Sequence, residues 1–337
     1  MAAPATLHLW TGWPHVLRAQ QFDPPALESV FNEARLAEEI INSGGSNLLK
    51  GKIILSLFYE PSTRTRLSFE FATYHLGGRV LTSEAAREFS SAAKGESIED
   101  TIRVVCRYRP AAVVIRHYEE GAAERAAAVS ADPRTRRPIP VFNAGDGPGQ
   151  HPTQALLDAY TIWRARGTLE GVTVAVAGDL LNGRTARSLC YLLAKFPGVS
   201  FRMIAPKAVQ MKDDLLGYLR RHKVPFVQTE SLAEGVCSAD VLYVTRIQKE
   251  RFEDGDAYER VRAAFSVTPE ILAQLPAHAI VMHPLPRVEG PHSELPAAVD
   301  VDPRVIIFDQ TEAGMYIRMA LLKLTCAVDR TAGRIGR

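Results

Sequence analysis

Residues 58–70 read FYEPSTRTRLSFE, and the order of residue types in this stretch decides the architecture. An apolar run over 52–58 has the character of a buried strand, and it passes directly into Ser62-Thr63-Arg64-Thr65-Arg66 and then into a helical pattern. Leu67, Phe71 and Tyr74 at i, i+4 and i+7 mark the helix, Arg66 and Glu70 form an i, i+4 pair on it, and Gly77-Gly78 stops it. The first N–H groups of a helix lack intrahelical partners and stand at the positive end of its dipole, so a dianion is stabilised there. Three hydroxyls and two guanidiniums add charge-assisted donors at the same point. The segment therefore reads as a strand feeding a phosphate cradle. Taken alone it also admits a Ser/Thr-capped helix with an exposed basic turn.

Working outward, the 337 residues suit two domains of about 150 residues each. Lys and Arg number 40 against 38 acids, a formal charge of +2, so no global field calls for nucleic acid or an anionic membrane. Any anion site must be local. Cys106, Cys190, Cys237 and Cys326 are far apart, without metal-ligand spacing, and read as buried thiols in a reducing compartment. The first twenty residues lack a basic segment followed by an apolar one, and no stretch approaches 18 apolar residues. A cytoplasmic protein without a membrane span is expected.

Short Val- and Ile-rich runs over 52–58, 111–115, 140–143, 172–177, 201–204, 241–245, 280–283 and 305–308 alternate with helical patterns. Continuous rather than alternating apolar strands predict parallel sheets covered on both faces. The expected fold class is α/β: two doubly wound parallel-sheet domains joined by interdomain helices, with a helix over 152–166 between the groups and a last one over 313–326.

Ligands of such sheets bind at the carboxyl ends of strands. Those ends are polar here: Arg116-His117, then Gly145-Asp146-Gly147 with His151-Pro152-Thr153-Gln154, then GDLLNGRT over 178–185, then Arg246 and Gln248, then HPLPR over 283–287. GDLLNGRT nearly matches the phosphate loop G-x-x-x-x-G-K-[ST], with Arg184 in place of the lysine, which keeps a P-loop-like nucleotidase as an alternative. The missing lysine and the absence of a strand ending in a companion aspartate count against it. The dinucleotide fingerprint G-x-G-x-x-G is absent from the strand-to-helix turns.

STRTR after a strand, HPTQALLD, GDLLNGRT, TRIQKERF and HPLPR, in this order, resemble the catalytic chain of the aspartate carbamoyltransferases, within the aspartate/ornithine carbamoyltransferase family. REFSSAAKGE over 87–96 is most similar to the plant-like branch, and Pro284 stands where ornithine-specific relatives carry a cysteine. The resemblance implies a carbamoyl-phosphate-binding domain over 1–155, completed by a helix over 313–330, and an aspartate-binding domain over 156–312. It implies transfer of a carbamoyl group from carbamoyl phosphate to L-aspartate in pyrimidine biosynthesis, with no metal and no organic cofactor. A catalytically silent family scaffold is the further alternative, and it would normally show losses among Arg64, His151 or Arg184.

By the same resemblance Ser62, Thr63, Arg64 and Thr65 hold the phosphate. Thr65, Arg116 and His151 reach the carbonyl oxygen, and Gln154 reaches the carbamoyl nitrogen. Arg184 and Arg246 take the aspartate carboxylates with help from Gln248, and the carbonyls of Leu285 and Pro286 position its amine. Ser90 and Lys94 lie on a loop that enters the neighbouring subunit's site, which makes the implied assembly a homotrimer with shared active sites. Phe89 on that loop is expected either to hold a pyrimidine nucleotide inhibitor or to pack against the adjacent subunit. Leu181-Asn182 and the long 288–292 loop depart from the family pattern.

Overall fold

The computed structural model describes residues 14–86, 94–247, 265–288, 290 and 293–327. The chain forms two compact units, Met1–Thr153 with Ala313–Arg337, and Gln154–Glu312. The first unit contains α1 (Pro24–Asn42), β1 (Ile53–Phe58), α2 (Thr63–His75), β2 (Arg79–Ser83), α3 (Ile98–Cys106), β3 (Ala112–His117), α4 (Ala122–Val129) and β4 (Val141–Asp146). α5 (Pro152–Arg166) begins in it and continues into the second unit. Its strands pair in parallel in the order β2-β1-β3-β4. β3 and β4 are buried almost throughout, which is why they read as unbroken apolar runs.

In the first unit the helix starts follow ordinary capping chemistry at two places. The Asp23 carboxylate accepts the Ala26 N–H at 2.9 Å ahead of Pro24-Pro25, and the Ser97 hydroxyl accepts the Asp100 N–H at 3.1 Å. α2 is different. Ser62 is its N-cap residue yet makes no capping hydrogen bond. α2 buries Thr65, Phe69, Ala72 and Thr73, with Phe69 against Phe142 at a ring-centroid distance of 5.8 Å. Leu67, Phe71 and Tyr74, the apolar residues that mark the helix in the sequence, lie on the exposed face. The helix stops where the glycines require: Gly77 has φ +77°, and a Cβ there would meet the Ser46 carbonyl oxygen at 2.4 Å.

The second unit contains β5 (Thr173–Ala177), α6 (Arg184–Leu193), β6 (Ser200–Ile204), α7 (Asp213–Arg221), β7 (Phe226–Thr229), α8 (Leu232–Val236), β8 (Val241–Val244), α9 (Pro269–Leu272) and β9 (Ile280–Met282). α10 (Ile307–Leu322) leads back into the first unit. The strands are again all parallel, in the order β7-β6-β5-β8-β9. Two parallel-sheet α/β domains joined by helices is the fold class that the sequence predicts.

Three details differ from the sequence reading. β2 and β7 are additional strands, both at sheet edges and partly exposed, where burial does not demand a continuous apolar run. Residues 305–308 form no strand. Val305 makes one isolated bridge to Val281, and the Gln310 N–H then turns back to the Ile306 carbonyl at 2.9 Å to open α10. Cys106, Cys190 and Cys326 are buried, with burial pushing the Cys190 thiol up to about 12, whereas Cys237 is exposed. Among the described residues no helix is long and apolar enough to cross a membrane.

Candidate active site

In each sheet the chain reverses its winding direction once, and the crevice outside that point is where an open α/β sheet binds ligands. In the first unit the reversal lies between β1 and β3, whose carboxyl ends pair through Phe58 and Arg116. The 62–65 segment follows one of these strands and Arg116 is next to last in the other. The Tyr59 N–H donates to the Arg116 carbonyl at 2.8 Å, which fixes the start of the loop against β3.

The 62–65 segment is an uncapped helix start in the folded chain, with the donors an anion would need. The first helical hydrogen bond of α2 runs from the Arg66 N–H to the Ser62 carbonyl at 3.0 Å, and the N–H groups of Thr63, Arg64 and Thr65 have no acceptor among the described residues. Thr65 is buried while Thr63 and Arg64 are exposed. Arg64 has no carboxylate partner among the described residues, and partial burial of its guanidinium lowers its pKa. Arg66 is occupied elsewhere, by Glu70 at 3.3 Å and Glu84 at 3.0 Å. Of the two guanidiniums in the motif, only Arg64 is left for a ligand.

Arg116 is held from two sides. Its Nη2 meets the Glu60 carboxylate at 2.8 Å and its Nη1 donates to the Ala144 carbonyl of β4 at 3.1 Å. The loop after β4 is fixed by Asp146, a buried residue to which the sequence reading gave no role. Its carboxylate accepts the Gly121 N–H at 2.9 Å and the Gln150 N–H at 2.7 Å; burial raises its pKa, and those two hydrogen bonds offset part of the rise. The loop delivers His151, itself buried, with Nδ1 3.5 Å from the Thr153 hydroxyl. Beneath, the buried Arg318 of α10 lies over the Phe69 ring at 5.1 Å and donates to the Gly314 carbonyl at 2.8 Å. Nothing in its sequence context marked it as a support for α2. Lys94 is exposed and makes no hydrogen bond or ion pair among the described residues, and Ser90 and Phe89 lie outside them.

In the second unit the reversal lies between β5 and β8. Gly178 follows β5 with φ +121°, and a Cβ there would stand 2.1 Å from the Thr245 carbonyl oxygen, so only glycine lets the two strand ends approach so closely. The Thr245 N–H donates to the Ala177 carbonyl at 2.7 Å. Arg184 follows one strand end as the first residue of α6, and Arg246 follows the other. Two guanidinium forks at such a crevice suit a dicarboxylate. Gln248 lies outside the described residues.

Beyond β9 the Leu285–Pro286 peptide is cis and Leu285 has φ +51°. Neither carbonyl of this pair accepts a hydrogen bond among the described residues, so both remain acceptors for an amine. The turn is clamped by His283, whose Nδ1 accepts the Leu285 N–H at 2.8 Å and whose Nε2 lies 3.2 Å from Glu294. The Glu294 carboxylate also accepts the Val288 N–H at 3.0 Å, so it ties down the start of the lengthened loop.

The P-loop alternative fails on hydrogen bonding. In 178–185 the Gly178 N–H donates to Ile204 and those of Leu180 and Leu181 to Val209, each at 3.0 Å, while the Asn182 N–H donates to the buried Asp179 carboxylate, also at 3.0 Å. A phosphate loop needs those groups free.

Comparison with known proteins agrees with this geometry. The family model described as aspartate/ornithine carbamoyltransferase, carbamoyl-P binding domain, matches residues 14–164, and the companion Asp/Orn binding domain matches 170–325. Aspartate carbamoyltransferase 3, chloroplastic, of Pisum sativum is 54% identical over 311 residues, 92% of this chain and 76% of the relative. The catalytic subunit of M. jannaschii aspartate transcarbamoylase superimposes with a TM-score of 0.85 at 41% identity, over 96% of this chain and 100% of that one. The Trypanosoma cruzi aspartate transcarbamoylase in complex with carbamoyl phosphate and aspartate gives 0.82 at 36% identity, over 92% and 94%. The expectation of a cytoplasmic protein is overturned by the plant relatives: those of pea, rice and Arabidopsis are named chloroplastic. With both halves matched in order over most of its length, the chain belongs to the aspartate/ornithine carbamoyltransferase family.

Proposed function

We propose that this chain is an aspartate carbamoyltransferase, joining the carbamoyl group of carbamoyl phosphate to the α-amine of L-aspartate and releasing phosphate, a reaction of pyrimidine biosynthesis. The observation that carries this reading is one anion-binding constellation at the winding reversal of each sheet, an open phosphate cradle in the first unit and a pair of guanidinium forks in the second. The family match and the aspartate carbamoyltransferases among its relatives support it.

In this reading the first unit binds carbamoyl phosphate and the second binds aspartate. Ser62, Thr63, Arg64 and Thr65 hold the phosphate, joined by Ser90 and Lys94. Thr65, Arg116 and His151 donate to the carbonyl oxygen as it gains charge, and Gln154 accepts from the carbamoyl nitrogen. Each preorganised donor of this kind is worth about 2.7–4 kcal/mol in the transition state. Arg184, Arg246, Gln248 and Lys94 take the aspartate carboxylates, and the Leu285 and Pro286 carbonyls orient the amine. The amine lone pair attacks the carbonyl carbon, the bond from that carbon to the phosphate oxygen breaks, and the amine proton leaves with the phosphate. The donor is already activated, so the reaction needs no metal or organic cofactor. His151 acts as a hydrogen-bond donor.

A homotrimer with shared sites is part of the proposal. The exposed Leu67, Phe71 and Tyr74 give α2 an apolar outer face, and the exposed Lys94 makes no hydrogen bond or ion pair among the described residues. A pyrimidine nucleotide is the proposed inhibitor. The presence of Arg64, His151 and Arg184 argues against a silent scaffold.

Phosphate release from carbamoyl phosphate, assayed with aspartate, with ornithine and with no acceptor, tests the reading. Release that depends on aspartate is expected. Release driven by ornithine, or independent of acceptor, would sink it.

A further inference from the structure

Three buried donors converge on one carboxylate in the second unit. Asp158, one turn after Gln154 on α5, accepts the Gln154 Nε2 at 2.9 Å and the Gln310 Nε2 at 2.7 Å on Oδ1, and the Tyr243 hydroxyl at 2.7 Å on Oδ2. Asp158 and Tyr243 are fully buried and Gln310 nearly so. Burial, with the charge of Asp158 beside it, holds the Tyr243 hydroxyl well above its ordinary pKa, so it donates. Gln310 is oriented in turn by the His283 N–H, which its Oε1 accepts at 2.9 Å.

This arrangement removes the usual ambiguity of a side-chain amide. An ionised carboxylate only accepts, so Gln154 must turn its NH2 towards Asp158; the flipped amide would set two acceptors against each other where water cannot intervene. Its Oε1 then accepts from no described residue and is what Gln154 can offer a ligand.

We propose that Asp158 is a positioning residue that determines donor specificity. It locks the Gln154 amide with Oε1 presented, and an acceptor at that point selects a carbonyl carbon bearing NH2 over one bearing CH3. The mechanism rests on the carbamoyl-transfer reading and deepens it. A site built to hydrogen-bond a substrate N–H discriminates strongly against an analogue that lacks it, because its polar group is then left unpaired.

The test compares kcat/KM for carbamoyl phosphate with that for acetyl phosphate, aspartate being the acceptor. In Asp158→Asn the acceptor-only constraint is gone and Gln154 can flip, so the carbamoyl-to-acetyl ratio is expected to fall by about tenfold or more. Tyr243→Phe loosens the same cluster without touching the Gln154 contact, and should keep the ratio whatever it does to the absolute rates. Asp158→Ser and Gln154→Leu carry the same expectation as Asp158→Asn, so a misfolded Asp158→Asn leaves the proposal open to refutation. Unmodified protein that transfers no carbamoyl group to aspartate overturns the parent reading. Unmodified protein that does, beside Asp158 variants whose ratio stays within about twofold, overturns this proposal alone.

Discussion

Glu60 grips Arg116 at 2.8 Å, so a guanidinium near the carboxyl end of β3 is held by the loop that leads into residues 62–65. A second contact, to the Ala144 carbonyl at 3.1 Å, fixes the fork from the β4 side. Glu60 is more than one-third exposed, so the pair adds little stability and its value lies in orientation.

Two substitutions separate these roles. Arg116→Ala should cost about 10²- to 10³-fold in kcat, the price of one oxyanion donor, with little change in the denaturation midpoint. Glu60→Gln keeps a weaker acceptor and should lower kcat by about tenfold, within the range seen when a supporting contact is loosened. Steady-state kinetics with carbamoyl phosphate as the varied substrate checks both, and an unchanged kcat in Arg116→Ala would remove it from the oxyanion role.

His151 is proposed to donate a hydrogen bond, a task that an amide can share. His151→Gln should keep measurable turnover, whereas His151→Ala should lose about 10²-fold or more. Equal losses in single-turnover measurements would point to proton transfer instead.

The His283–Glu294 contact should make the Leu285–Pro286 turn sensitive to acid. Burial alone would raise the Glu294 pKa, but hydrogen bonds from His283 and the Val288 N–H outweigh it and bring the value below the ordinary 4.5. A carboxyl with a depressed folded pKa contributes stability that is complete above its unfolded pKa and is lost as pH falls through the lower folded one. Urea midpoints of the protein and of Glu294→Gln should therefore differ most near about pH 7 and converge towards about pH 3. A gap independent of pH would refute the assignment.

If sites are shared between subunits, Lys94→Ala and His151→Ala, each inactive, should complement when denatured and refolded together, since some mixed trimers carry one intact site. Lack of any regain would rule out the shared arrangement.

The interior strands and the motif-bearing loops were legible because both follow from local chemistry. Burial on two faces forces β1, β3, β5 and β8 to be apolar, and the proposed anion binding calls for the hydroxyls and guanidiniums that follow them. The edge strands β2 and β7 escaped because partial exposure relaxes that demand. Helix periodicity located α2 correctly but not its buried side: Phe69 and Ala72 face the core while the larger Phe71 and Tyr74 face out. Supports such as Asp146, Arg318 and Glu294 were invisible for another reason. Their partners are distant in sequence or are backbone groups, which carry no signature in residue type.

Because Gly178 admits the Thr245 carbonyl and no side chain, the spacing between the loops that carry Arg184 and Arg246 is set by the backbone itself. Under the proposed carbamoyl transfer, side chains around this gap can be exchanged at constant width, so the choice of acceptor can change while the backbone that spaces the two loops does not.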